Sequence, residues 1–207
     1  MIFTYFIFSA IAVYAAQTEN GIFYKITKGI PVFSLLLFLA IFDINSDYRF
    51  LIMAALLFSL AGDLFLLSEK RFIHGLAAFL VSHIFYFAAF VNETENFNFL
   101  IAVPIFLLTG SYFLIIKKSL KSKMVFPVAL YAIVISLMLW SAFNLFFTGG
   151  GEKFAIVFSA AILFTVSDST LAWNKFVSKL KYGQVIILTT YYAAQFLFAA
   201  SVIVSFR

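Results

Sequence analysis

The sequence predicts an all-α, polytopic transmembrane helical bundle that forms one integral-membrane domain over residues 1–207. Two observations support this fold class. Of the 207 residues, 64% are hydrophobic and 11% are charged, whereas a soluble domain is roughly 45–50% apolar and about 25% charged. The apolar residues also form continuous runs between short charged clusters, while the strands of a membrane β-barrel would alternate every second residue. The composition excludes an ordinary soluble fold.

About eight spans are predicted from the apolar runs. They cover residues 2–16, 29–43, 49–67, 73–91, 97–116, 124–146, 153–173 and 183–205. A helix needs about 20 residues to cross the hydrocarbon core, so the first two spans are short for a full crossing. The first run lacks the basic residues that precede the apolar region of a signal peptide, and it is predicted to be a retained span.

Lysine and arginine are distributed unequally between the two ends of the predicted bundle. Eleven lie in or beside the first, third, fifth and seventh connections: Lys25, Lys28, Lys70, Arg71, Lys117, Lys118, Lys121, Lys123, Lys175, Lys179 and Lys181. Arg49, Lys153 and Arg207 lie at the other end. The positive-inside rule therefore predicts cytoplasmic odd-numbered connections, with both termini on the opposite side of a bacterial-type inner or plasma membrane. Topology accounts for the net charge of +5, and no nucleic-acid partner is predicted.

Two aspartates interrupt apolar spans close to their cytoplasmic ends. Asp63 lies in LFSLAGDLFLL and Asp168 in AAILFTVSDSTLAW. An aspartate at the centre of a transmembrane helix costs about 2.5–3.5 kcal/mol to insert, so a residue of this kind is a candidate for function. The alternative is a structural carboxylate near the interface that pairs with Lys70 or Lys175. Finding two such residues at similar depth favours a functional site towards the cytoplasmic leaflet.

The segments around the two aspartates also align with each other. The aligned pairs are Asp63 with Asp168, Leu66 with Leu171, and Lys70 with Lys175. An offset of four spans preserves the direction across the membrane, so the alignment is compatible with a parallel four-plus-four repeat about an axis along the membrane normal. In such a repeat the two aspartates would lie at equal depth.

Five further polar residues in the spans are candidates for substrate binding: Lys28, His83, Tyr191, Tyr192 and Gln195. Each also has a structural interpretation. Lys28 could set the topology, the tyrosines could belong to an interfacial aromatic belt, and His83 or Gln195 could be satisfied by helix–helix hydrogen bonds. The outer halves of the spans are almost entirely apolar, with Asn144 as the main exception.

The sequence contains no P-loop, GxSxG, HExxH or cysteine-rich pattern, and no cofactor is predicted. Its two histidines exclude a three-histidine zinc site built from this chain alone. No metal site is predicted, although the residue types leave open a mixed site made of His83, Asp63 and Asp168.

Four segments in this order resemble the YhhN family of membrane proteins, whose characterised members are lysoplasmalogenases. They are LAGDLFLL, GLAAFLVSHIFY, LFTVSDSTLA and TYYAAQ, and Lys28 followed by Pro31 fits a further feature of the family. The resemblance extends from about Lys28 to Gln195. It implies that a lysophospholipid substrate, the lysoplasmalogen, is hydrolysed at its vinyl-ether bond to a fatty aldehyde and a glycerophosphocholine or glycerophosphoethanolamine. It also implies that Asp63 and Asp168 are the catalytic candidates.

The implied chemistry suits two carboxyl groups. Protonation of the β-carbon of a vinyl ether gives an oxocarbenium ion that water attacks, and the hemiacetal then collapses to aldehyde and alcohol. Burial raises the pKa of a carboxyl from about 3.9 and so favours an acid that is still protonated near neutral pH, while a second, ionised carboxylate can stabilise the cation. Glycosidases divide the same work between two carboxyls. The sequence leaves open which aspartate is the acid.

The remaining candidates fit a single-chain lipid whose linkage lies just below the headgroups. Lys28 is suited to the phosphate, and Tyr191 or Tyr192 to a quaternary amine through a cation–π contact. The rival interpretation is a proton- or cation-coupled transporter that uses the same two aspartates. Alternating access needs polar lining at both ends, so the apolar outer halves favour a site open to one side, as an enzyme needs. A non-catalytic lipid-binding protein would leave the aspartates unexplained. Headgroup preference and oligomeric state stay open.

Overall fold

The computed structural model describes residues 2–18, 21–41, 46–149 and 151–204. Over these residues the chain forms nine α-helices and two 3-10 turns, and it contains no strand. The helices are α1 (Ile2–Gln17), α2 (Gly21–Thr27), α3 (Ile30–Ile41), α4 (Asp47–Leu66), α5 (Phe72–Asn92), α6 (Ala102–Lys117), α7 (Ser122–Gly149), α8 (Glu152–Phe176) and α9 (Gly183–Val204). The all-α fold class is confirmed.

Seven stretches of the described chain are long and apolar enough to cross a membrane, with α2 and α3 together counting as one. The first predicted span corresponds to α1, which is apolar but has only 16 residues, fewer than the roughly 20 that a crossing needs. The bundle therefore has seven candidate spans and one short N-terminal helix. Residues 42–43 and 205, where two predicted spans end, lie outside the described residues, as do Met1 and Arg207 of the topology prediction.

The second span begins earlier than the sequence suggested and contains a break. Its first helical residue is Gly21 and not residue 29, and the helix is interrupted at Lys28 and Gly29. Pro31 explains the interruption, because its ring would clash with the carbonyl of Thr27, four residues earlier, and it has no N–H to bond there. The break places Lys28 at a bend inside the bundle.

Two helical hairpins, α4–α5 and α8–α9, form the most extensive contacts in the bundle. Helix α9 also packs against α1, α3 and α4, which joins the two hairpins. Within the first hairpin, Gly62 allows a close approach, since a Cβ atom on it would lie 2.6 Å from the ring of Phe79. These are the hairpins that the proposed repeat would relate to each other, and the repeat itself stays a prediction.

Polar residues at the opposite end of the bundle from Asp63 and Asp168 have structural partners. Asn144 is fully buried; its side chain accepts a hydrogen bond from the N–H of Asn98 at 2.6 Å and donates to the carbonyl of Trp140 at 3.0 Å. Lys153 forms an ion pair with Glu93 at 2.6 Å. These contacts tie loops and helix ends together, so Asn144, the polar exception in the outer halves, is explained by packing.

Candidate active site

Asp63 lies in the last turns of α4 and is only 2% exposed. The Lys28 Nζ atom lies 3.7 Å from one carboxylate oxygen, and the Tyr191 hydroxyl donates a hydrogen bond of 2.6 Å to the other. The structure therefore assigns this carboxylate a basic partner from the break between α2 and α3, and not Lys70 from the adjacent loop. An uncompensated charge at this depth would be costly, and Lys28 offsets it.

Two hydrogen bonds from tyrosines fix the position of Lys28 and of the helix beside it. The Tyr192 hydroxyl donates to the Lys28 carbonyl at 2.9 Å. The Tyr5 hydroxyl in turn donates to the carbonyl of Tyr192, which connects α1 to the same network. Lys28 is 5% exposed, and its ammonium group lies 5.4 Å from the centroid of the Tyr24 ring. The bend at Lys28 is thus held by side chains from both ends of the sequence.

Asp168 lies in α8 and is 9% exposed. One of its oxygens, Oδ2, accepts a hydrogen bond of 2.5 Å from the Tyr131 hydroxyl and lies 3.3 Å from His83 Nε2. The other ring nitrogen of His83, Nδ1, lies 2.6 Å from the carbonyl of Phe79. The neighbouring Ser167 hydroxyl donates to the Ile187 carbonyl at 3.0 Å and holds α8 against α9 at this level.

The partners of the two aspartates come from opposite hairpins. Asp63 in α4 is bound by Tyr191 of α9, and Asp168 in α8 is faced by His83 of α5. The ring of Phe164 packs between them, with its centroid 4.5 Å from that of His83 and 5.6 Å from that of Tyr191. The two carboxyl groups and their partners therefore form one packed cluster.

Both aspartates line a cavity of about 440 Å³. Its inner wall includes Lys28, Tyr191 and Phe79. At its other end it is lined by polar residues of the α4–α5 and α8–α9 connections and the adjoining helix ends: Ser68, Glu69, Asn174, Lys175, Lys179, Lys181, Tyr182 and Gln184. We call this set the basic mouth. The arrangement places two buried carboxyl groups on one cavity that extends to the lysine-rich end of the bundle.

Apolar space adjoins the cavity at two places. A small pocket of about 40 Å³ is lined by Asp168 and Tyr131 together with apolar side chains such as Leu76, Val128 and Phe176. A groove of about 610 Å³ lies between α1 and α9, and Gln17 lines both this groove and the main cavity. The surroundings of the site are therefore suited to a ligand with both a polar and an apolar part.

The predicted site residues differ in how close they lie to the cavity. Asp63, Asp168, Lys28 and Tyr191 line the cavity directly. His83 and Tyr192 stand behind it, His83 against Asp168 and Tyr192 against Lys28.

Gln195 lies one turn beyond Tyr191 and accepts a hydrogen bond of 2.5 Å from the Tyr86 hydroxyl. It is not among the residues that line the cavity.

Sequence reasoning missed Tyr131, since a single tyrosine in the apolar run VALYAIVIS has no spacing that marks it. It treated Lys179 and Lys181 only as topology signals and Lys175 as a topology signal or an ion-pair partner, although all three line the basic mouth. In the described part of the chain, no group of three His, Cys, Asp or Glu side chains could hold a metal ion.

The fold and the site define a multi-pass helical membrane protein with two buried, separately partnered aspartates on one cavity. Comparison with known proteins agrees with this class. The profile of the YhhN family matches residues 23–202, and the chain therefore belongs to the YhhN family. No solved structure matches the chain.

Several lysoplasmalogenases are similar to the chain over most of its length. Lysoplasmalogenase TMEM86B of Sus scrofa is 34% identical over 177 residues, which cover 86% of this chain and 74% of the relative. The TMEM86B protein of Homo sapiens is 34% identical over 179 residues, covering 86% and 75%. Lysoplasmalogenase TMEM86A of Homo sapiens is 32% identical over 187 residues, covering 86% and 77%.

Proposed function

We propose that this chain is a lysoplasmalogenase, which hydrolyses the vinyl-ether bond of a lysoplasmalogen to a fatty aldehyde and a glycerophospho-alcohol. The names of its relatives support the reaction. The observation that carries the proposal is the pair of buried aspartates on one cavity, because vinyl-ether hydrolysis needs an acid for the β-carbon and an anionic group for the oxocarbenium ion. Asp63 and Asp168 supply these two groups.

The lysophospholipid enters from the basic mouth with its headgroup outermost. Lys179 and Lys181 are the cations best placed for the phosphate, because both are exposed at the basic mouth, whereas Lys28 is buried against Asp63 and Lys175 pairs with Glu69. The linkage then reaches the level of the aspartates, and the alkenyl chain occupies the adjoining apolar space. In this arrangement Lys28 pairs with Asp63, and Tyr192 holds Lys28 in place. His83 contacts Asp168, and Tyr191 lies in the cavity wall.

The test uses purified protein with two lipids that differ only at the linkage. A lysoplasmalogen should release a fatty aldehyde, whereas the lysophospholipid with a saturated ether should release none, because a saturated ether has no β-carbon to protonate. The single variant D168N serves as the matched control and should release aldehyde far more slowly than the wild type. Absence of aldehyde with the wild-type protein would reject the proposal and would favour the transporter interpretation.

We further propose that the site opens to the cytoplasmic leaflet, since the basic mouth belongs to the lysine-rich end. The chain has no cysteine, so one introduced cysteine is a unique probe. Lys179 and Glu95 are both exposed and lie at opposite ends of the bundle. A membrane-impermeant maleimide added to intact cells should label E95C and spare K179C, and it should label K179C in inverted vesicles. The reverse pattern would place the site in the outer leaflet.

A further inference from the structure

We propose that Asp168 is the acid of the reaction and carries the catalytic proton beside His83 Nε2, while Asp63 is the ionised carboxylate. This assignment rests on the proposed function for its catalytic meaning. The protonation states themselves follow from the groups that surround each carboxyl. His83 is a positioning residue in this account, because it acts through Asp168.

The first step concerns the tautomer of His83. Its Nδ1 atom lies 2.6 Å from the carbonyl of Phe79, four residues earlier in α5. A carbonyl oxygen only accepts hydrogen bonds, so Nδ1 must carry a hydrogen and donate it. In a neutral imidazole the second nitrogen is then an acceptor with a lone pair in the plane of the ring. The carbonyl of Phe79 therefore makes Nε2 of a neutral His83 an acceptor.

The second step concerns what Nε2 faces. It lies 3.3 Å from Oδ2 of Asp168, and His83 is 1% exposed. Nε2 has no hydrogen-bond partner in the described part of the chain, Asp168 included. If Asp168 were ionised and His83 neutral, a negatively charged oxygen and a nitrogen lone pair would lie 3.3 Å apart in a site with little access to water. A proton on one of the two groups removes this repulsion.

The third step decides which atom carries that proton. A proton on Nε2 would leave an imidazolium beside a carboxylate, and a proton on Oδ2 leaves both groups neutral. Separated charges are costly to bury in apolar surroundings, and here the ring of Phe164 lies 4.5 Å from that of His83 between centroids. The neutral pair is favoured, with the proton on Asp168 beside Nε2 and with Oδ2 accepting a hydrogen bond from the Tyr131 hydroxyl.

Asp63 has the opposite set of partners. The Lys28 ammonium group lies 3.7 Å from one of its oxygens, and the Tyr191 hydroxyl donates to the other at 2.6 Å. Both partners are donors, and one of them is a cation. An ionised carboxylate satisfies both, whereas a protonated carboxyl would leave the Lys28 charge without its counter-ion. The two aspartates are therefore held in different protonation states by different neighbours.

The assignment gives a balanced reaction. The O–H bond of Asp168 breaks as the π electrons of the vinyl ether form a C–H bond at the β-carbon, and the ether oxygen shares a lone pair with the adjacent carbon. Water adds to that carbon and gives one proton to the Asp168 carboxylate, which is protonated again. The hydroxyl proton of the hemiacetal is then transferred to the glycerol oxygen as the C–O bond to glycerol breaks, giving the aldehyde and the alcohol. One water is consumed.

The test is infrared spectroscopy of the purified protein near neutral pH without substrate. A protonated carboxyl buried in the bundle gives a C=O stretching band separate from the amide bands. The band should be present in the wild type and absent from D168N, and H83F should shift it, because the acceptor at Nε2 is gone. It should persist in K28M/D63N, a variant that removes both charges of the other pair, and in D47N, the matched change at the far end of α4.

Loss of the band in K28M/D63N with retention in D168N would exchange the two roles and overturn the proposal. Absence of the band from the wild type would also overturn it. Because no substrate is present, the assignment can survive failure of the proposed function. A band with the expected pattern but no aldehyde release would reject the lysoplasmalogenase activity alone.

Discussion

Replacing Asp168 by asparagine is expected to lower kcat/KM about 10²–10⁴-fold, the usual contribution of a general acid, while the variant unfolds at nearly the wild-type temperature. The amide is close in size to a protonated carboxyl. Its NH₂ group can donate to His83 Nε2 in place of the acid hydrogen and can meet the Tyr131 hydroxyl, which then accepts. Aldehyde release and a thermal unfolding curve on the same preparation check both parts of the prediction.

The control for this variant is D47N, the same chemical change at the first residue of α4 and away from the cavity. It should keep wild-type activity. If D168N instead melted far below the wild type while its folded fraction kept full specific activity, Asp168 would be a structural residue. A double variant D63N/D168N should lose little more activity than the worse single variant, because residues that act on one transition state are not additive.

Breaking the Lys28–Asp63 pair is expected to have the largest effect on stability. Either K28M or D63N leaves one buried charge without its partner, and removing one member of a buried pair costs about 3–5 kcal/mol. Lys28 and Asp63 are 5% and 2% exposed, so water offers little compensation. The double variant K28M/D63N removes both charges and should recover most of the lost stability. Thermal unfolding of the four proteins in one detergent completes the double-mutant cycle.

Activity separates the two roles of this pair. K28M/D63N should be stable but inactive, because the reaction loses the carboxylate that stabilises the oxocarbenium ion. Additive losses of stability in the double variant would show that Lys28 and Asp63 do not interact in the folded protein. Recovery of activity together with stability would show that Asp63 serves the fold and not the reaction.

The helical bundle and the two aspartates could be predicted from sequence because each depends on a local signal. Long apolar runs predict spans. A carboxylate inside such a run is a candidate for function because its insertion into the membrane costs free energy. The unequal distribution of lysine between the two ends also predicted that both aspartates lie towards the same end, and both line one cavity. The early start of the second span was not predicted, since Lys25 and Lys28 interrupt the apolar pattern between Gly21 and Ile30, although the helix α2 forms there.

The partners of the aspartates could not be predicted, because they depend on which helices touch. Lys70 and Lys175 are close to the aspartates in sequence, yet Asp63 pairs with Lys28 from another span and Lys175 pairs with Glu69. Tyr131 has no signal of its own in α7. Gln195 shares a helix face with Tyr191 but lies one turn further along α9, where it accepts a hydrogen bond from Tyr86 and does not line the cavity. Such contacts are properties of the packed bundle.

The central claim is that an acid in this cavity protonates carbon and that water then attacks the vinyl ether. Hydrolysis of lysoplasmalogen in D₂O enriched in ¹⁸O tests it most directly. The aldehyde is reduced at once to the alcohol, and the isotope content of both products is measured by mass spectrometry. The account predicts one deuterium on the carbon next to the former aldehyde carbon, and ¹⁸O in the aldehyde product only. Aldehyde without deuterium, or ¹⁸O in the glycerophospho-alcohol, would contradict it.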